Sequence, residues 1–120
     1  MAIVGTGVDI VEVDRITSLI ERTPKFLDRV LTPSEKEYCL KGKKGAAQHV
    51  AGRFAVKEAV IKAIGHFVPW LSIEVLNEPS GHPIVQTYPP VELPSGGRIS
   101  VSIAHERHYA IAFAILEVED

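Results

Sequence analysis

An α+β fold, helices grouped early and a mostly antiparallel sheet packed around one long central helix, follows from three patterns in the chain. From Ala46 to Ile64 there is no proline, and Val50, Phe54, Ala55, Ala59, Ile61 and Ile64 make a broad apolar stripe at helical spacing. Beyond Gly65 the period changes: Ile99, Val101 and Ile103 alternate with Arg98, Ser100 and Ser102, the signature of a half-buried strand. His105 to His108 then join that strand to the apolar run after it, a link short enough for an antiparallel hairpin.

The elements follow in order. Ile3 to Val11 is β-branched with interspersed glycines and predicts a strand. Val13, Ile16, Leu19 and Ile20 fall at helical spacing, and Thr23-Pro24 stops that helix. Thr32 with Glu35 has the form of a capping box, with Pro33 at the first helical position, so a short helix runs from Pro33 to about Leu40 and closes at Gly42. The central helix ends at Gly65. Leu71 to Leu76 and Ile84 to Thr87 predict strands around the turn Pro79 to Pro83. Tyr88 to Gly97, with three of the eight prolines, is a loop. Tyr109 to Val118 is a nearly continuous apolar strand, the pattern expected where both faces are covered.

Composition narrows the function classes. At 120 residues, with no repeat or long polar linker, the chain is expected to be a single domain spanning residues 1–120. Its net charge of −2 supplies no global field toward nucleic acid. A single cysteine, Cys39, excludes an intramolecular disulfide. The longest apolar run, Tyr109 to Leu116, falls short of the ~20 residues of a membrane helix. The apolar start, Met1 to Val8, lacks the basic flank of a signal peptide. A cytoplasmic domain without nucleic-acid or membrane partners is the expectation.

A few polar residues stand out against this background. Asp9 interrupts an apolar strand, so its carboxylate either caps a neighbouring turn or meets a cation. Glu58 and Lys62 share a helix face beside Phe54, a spacing equally suited to an ordinary surface ion pair worth a few tenths of a kcal/mol. Arg53 and Lys57 form a like-sign i,i+4 pair, unfavourable unless an anion lies near. Two carboxylates with several cations are the parts that magnesium-dependent phosphoryl transfer uses. Gly5 and Gly7 match neither a dinucleotide fingerprint nor a Walker motif. His105-x-x-His108 lacks a clustered third zinc ligand, and Ser100 and Ser102 lack a glycine-flanked elbow. Cys39 has no adjacent histidine to activate it, and Trp70 beside Pro69 suits packing.

Three segments together resemble the holo-[acyl-carrier-protein] synthases, short 4'-phosphopantetheinyl transferases. They are Gly5-Thr6-Gly7-Val8-Asp9-Ile10-Val11-Glu12, the helix Arg53-Phe54-Ala55-Val56-Lys57-Glu58-Ala59-Val60-Ile61-Lys62, and the hairpin strand Val101-Ser102-Ile103-Ala104-His105. Phe26 to Thr32 with Glu35 also fits, and the resemblance spans essentially the whole chain in order. One departure is Ala104, where the family often carries a hydroxyl residue beside the histidine. If that hydroxyl bonds a phosphate in relatives, a modest loss of affinity is expected here.

The resemblance implies a 4'-phosphopantetheinyl transferase-like fold and a reaction. The 4'-phosphopantetheine of coenzyme A moves to a serine of an apo acyl carrier protein, releasing adenosine 3',5'-bisphosphate, a step serving fatty acid biosynthesis. By the same likeness Asp9 and Glu58 are the Mg²⁺ ligands, the ion bridging the coenzyme's pyrophosphate. Lys62 screens phosphate or relays the serine proton, the base being Glu58, Lys62 or a metal-bound water. Arg53, Lys57 and His105 are expected on the coenzyme's phosphates, Phe54 beside them, and Gly65 with Pro83 along its nucleotide. Arg15, Arg22, Lys25 and Arg29 are expected to receive the acidic carrier. The short type also implies a homotrimer with active sites between subunits. Two other classes remain: a trimeric module that binds coenzyme A without catalysis, and a metal-dependent phosphohydrolase that uses water.

Overall fold

The structure is a computed structural model describing residues 1–42 and 45–119. Strand β1 (Ala2–Glu12) leads into helices α1 (Val13–Arg22), α2 (Phe26–Val30), α3 (Pro33–Leu40) and α4 (Ala46–Ile64). A single 3₁₀ turn (Trp70–Ser72) precedes β2 (Ile73–Asn77), β3 (Pro83–Thr87), β4 (Arg98–His105) and β5 (Tyr109–Val118). The expected elements are present, and the expected sheet divides in two. One sheet has the order β1-β5-β4, and the other is the β2-β3 hairpin, all pairings antiparallel. Helix α2 carries no sequence signal of its own, because five residues are too few to show a helical period.

Local chemistry explains the boundaries. The Thr32 hydroxyl accepts from the Glu35 amide while the Glu35 carboxylate accepts from the Thr32 amide, the capping box read from the sequence. Gly65 ends α4 at φ 99°, a left-handed conformation that glycine adopts without a Cβ clash, and its N–H closes on the Ile61 carbonyl.

Helix α4 is central because it packs on β1, β5 and β4 on one side and against α1, α3 and β2 on others. Gly5 and Gly7 set how closely it lies on β1. A Cβ at Gly5 would stand 2.0 Å from the Ala63 carbonyl oxygen, and one at Gly7 1.9 Å from that of Ala59. Strand side chains alternate, so the next residue on this inner face after Gly5 and Gly7 is Asp9. Close glycine packing therefore delivers the Asp9 carboxylate to the flank of α4. Gly7→Ala is expected to cost about 3 kcal/mol or more through overpacking, measured as a lowered urea midpoint at unchanged slope.

Strand β5 departs from the expectation of two covered faces. Its inward residues, Ala110, Ala112, Ala114 and Leu116, are buried, whereas Tyr109, Ile111 and Phe113 point outward and are exposed. On β1, Val8 and Ile10 extend the same open surface, Val8 pairing with Phe113 and Ile10 with Ile111. A single α4 can cover only one side of the sheet. Small residues face it and large apolar ones face away.

Candidate active site

The inner face of β1 and one face of α4 meet at a cavity of about 310 Å³. Asp9 enters it from β1, Arg15 from α1, and Phe54 and Glu58, one turn apart, from α4. Lys62, the next turn along, donates to the Val8 carbonyl at 2.9 Å and to Asp9 Oδ1 at 3.4 Å. The Trp70 indole N–H lies 3.4 Å from Glu58 Oε2, and the Trp70 ring packs against Phe54 and Phe67 with centroids 5.8 and 5.9 Å apart. One aromatic cluster thus braces the carboxylate that helical spacing alone left as a surface ion pair.

The donor set suits a hard cation. Asp9 from β1 and Glu58 from α4 face one cavity, with Glu12 and Arg15 also on its lining, and among the described residues Lys62 pairs with Asp9 alone. Among the described residues no three His, Cys, Asp or Glu side chains lie close enough to hold one ion together. A pair of carboxylates fits Mg²⁺, which binds through one or two carboxylates and keeps waters for the rest.

A second cavity, of about 170 Å³, brings together Arg53, Pro83 and His105 with Tyr38, His49 and Asn77. The Arg53 side chain, on a residue only 4% exposed, stacks its guanidinium 4.0 Å from the centroid of the Tyr38 ring. It also donates to the Asn77 side-chain oxygen, while its Nε is buried without a partner. His49 sits edge-on to Tyr38 and His105, with centroids 5.4 and 6.2 Å away. Burial, then Arg53 and His105 beside it, hold the His49 imidazole below its ordinary pKa. A buried guanidinium with imidazole N–H donors beside it favours an anion.

Lys57, expected on a phosphate, is placed elsewhere. It is wholly buried, and its ammonium donates to Glu35 Oε1 at 2.7 Å and to the Val30 and Trp70 carbonyls. All three ammonium donors are thereby committed inside the protein, out of a surface ligand's reach. The anion that the like-sign pair called for is, for Lys57, the Glu35 carboxylate. Gly65 lines neither cavity; it caps α4 in open space. Arg15, Arg22, Lys25 and Arg29 are exposed along α1 and α2, and among the described residues none is ion-paired. Sequence reasoning missed Tyr38, His49 and Asn77 as neighbours of Arg53. Asn77 opens the β2-β3 turn, where the sequence signals only the turn itself.

Comparison with known proteins places this geometry. The family model of the 4'-phosphopantetheinyl transferase superfamily matches residues 5–114. A holo-[acyl-carrier-protein] synthase of Chlorobium luteolum is 49% identical over 113 residues, covering 90% of this chain and 94% of that protein. The crystal structure of a holo-(acyl-carrier-protein) synthase from Bacillus anthracis in complex with CoA (3',5'-ADP) matches with a TM-score of 0.85 and 37% identity, covering 98% of each chain. The Helicobacter pylori holo-[acyl-carrier-protein] synthase in complex with coenzyme A matches with a TM-score of 0.79 and 29% identity, covering 93% of this chain and 99% of that one. In fold and sequence alike, the chain belongs to the 4'-phosphopantetheinyl transferase superfamily, among its holo-[acyl-carrier-protein] synthases.

Proposed function

We propose that this chain uses Asp9 and Glu58 to hold Mg²⁺ and transfers 4'-phosphopantetheine from coenzyme A to a serine of an apo acyl carrier protein. The observation that carries it is the convergence of those two carboxylates on one cavity, with Arg15 lining it and Lys62 bonded to Asp9. The serine oxygen bonds to the pantetheine-side phosphorus of the pyrophosphate as its proton passes to a base, Glu58, Lys62 or a water in the cavity. The P–O bond to the adenosine-side phosphate breaks, and its electron pair leaves with adenosine 3',5'-bisphosphate. Magnesium, when bound, neutralises charge on the pyrophosphate and the departing group.

The chain's own residues do the rest. Lys62, which donates to the Val8 carbonyl and to Asp9, screens phosphate charge beside Asp9. Arg53 and His105 take a phosphate of the coenzyme in the second cavity, and Pro83 borders the same space. The test is the intact mass of an apo acyl carrier protein incubated with the protein, coenzyme A and Mg²⁺. A gain of one phosphopantetheine supports the transfer. Coenzyme hydrolysis without carrier modification would overturn it.

The carrier is proposed to dock on Arg15, Arg22, Lys25 and Arg29, an exposed basic strip on a chain of net charge −2. Arg15→Glu should raise the KM for carrier roughly tenfold, about 1.4 kcal/mol, and leave the KM for coenzyme A unchanged. Steady-state kinetics with each substrate varied in turn checks this, and an unchanged carrier KM overturns it. The open face of Val8, Ile10, Tyr109, Ile111 and Phe113 supports a homotrimer in which neighbouring subunits cover it. Sedimentation should then show trimers, and a stable active monomer would contradict the assembly. Cytoplasmic action in fatty acid biosynthesis fits the carrier substrate of this reading.

A further inference from the structure

Arg53 is held in an unusual way for a buried guanidinium. Desolvating a charge is costly, and buried arginines ordinarily recover that cost through a carboxylate. Among the described residues Arg53 has no such partner. The nearby Glu35 carboxylate is committed to Lys57, to the Thr32 amide and to the Val75 amide at 2.8 Å. Arg53 is gripped instead by two neutral groups, the Tyr38 ring and the Asn77 side-chain amide. Asn77 is itself fixed at both ends: its oxygen accepts from Arg53, and its Nδ2 donates to the Gly81 carbonyl at 3.0 Å. Arg53, its Nε buried and unpartnered, lines the same cavity as His49 and His105.

We infer that Tyr38 and Asn77 are positioning residues: they fix the Arg53 guanidinium while leaving its charge unspent, so that an incoming phosphate of the coenzyme completes the pair. A carboxylate at either position would hold the side chain as firmly and neutralise it. Neutral partners supply the grip without the neutralisation. The inference rests on the proposed role of Arg53 as a coenzyme-phosphate contact and assigns how that contact is prepared.

Asn77→Asp separates this inference from a merely structural role, because the two readings differ in direction. An aspartate would give the buried guanidinium an ion-pair partner, so the unfolding midpoint should stay the same or rise. Coenzyme A affinity, titrated calorimetrically with EDTA and without carrier, should nevertheless fall about tenfold or more. A purely structural Asn77 would let affinity follow stability. Tyr38 provides the second arm should Asn77→Asp fail to fold. Tyr38→Phe keeps the ring face and should bind within about twofold of the wild type, whereas Tyr38→Leu should weaken binding about fivefold. Arg53→Gln serves as the reference and should lose at least as much affinity as Asn77→Asp. If Arg53→Gln weakens binding while Asn77→Asp and Tyr38→Leu both bind as the wild type, the positioning role is overturned alone. If Arg53→Gln binds coenzyme A unchanged, the phosphate contact itself is wrong and the inference falls with it.

Discussion

Alanine at Asp9 or at Glu58 is expected to leave an apo acyl carrier protein at its starting mass when the wild-type protein converts it fully. Each variant removes one of the two carboxylates proposed to hold the ion, and a lone carboxylate holds a hydrated divalent ion poorly. Charge neutralisation by such an ion is worth several kcal/mol at the transition state, so kcat/KM should fall on the order of 10³-fold in either variant. EDTA should reproduce the loss in the wild type, and added Mg²⁺ should reverse it only there. Asp9→Asn and Glu58→Gln keep the side-chain shape and should fail similarly, which assigns the loss to charge rather than packing. Transfer within tenfold of the wild type by folded Asp9→Ala or Glu58→Ala would remove the substituted residue from the metal site.

Lys57→Met is expected to cost 3–5 kcal/mol of folding stability, on the order found when one partner of a buried ion pair is removed. Its ammonium and the Glu35 carboxylate form a junction between five segments. Lys57 from α4 reaches the Val30 carbonyl at the end of α2 and the Trp70 carbonyl at the 3₁₀ turn. Glu35 caps α3 and accepts from the Val75 amide on β2. Burial pulls the lysine below its ordinary pKa while Glu35 partly pulls it back. Without the ammonium, Glu35 becomes an uncompensated buried charge. The double variant Lys57→Met/Glu35→Gln should therefore be less destabilised than the sum of its parts by 1 kcal/mol or more, read from urea unfolding of all four proteins. A Lys57→Met protein with full stability but weakened coenzyme binding would return Lys57 to the phosphate contacts.

The contrast between Arg53 and Lys57 shows where sequence reasoning reaches its limit. Their i,i+4 spacing places both on one face of α4 and calls for a nearby anion, which the fold supplies, among the described residues, to Lys57 alone. Spacing along one helix says nothing of what packs against that face. The answer for Lys57 is Glu35, twenty-two residues away in sequence, a residue whose sequence signature announces only a helix cap. For Arg53 it is an aromatic ring from α3 and an amide from β2. Elements whose signals are local were legible: α4 to its glycine stop, the Thr32–Glu35 box, the β4-β5 hairpin. Gly5 and Gly7 were legible only by what they exclude, since the closeness of α4 becomes visible once the helix lies upon the strand. The continuous apolar run of β5 suggested cover on both faces, but one chain supplies cover on one. Hydrophobicity alone does not distinguish alanines turned toward a helix from isoleucine and phenylalanine turned away.

The brace on Glu58 also gives the protein an optical label. Trp70 is its single tryptophan, so all indole fluorescence originates beside that carboxylate. A paramagnetic divalent ion captured by Asp9 and Glu58 would quench this emission at short range, and a diamagnetic one would shift it by changing the field along the indole. Metal occupancy could then be followed in the unlabelled wild-type protein, in real time and without turnover. Glu58→Gln would serve as the dark control, its emission indifferent to the ion.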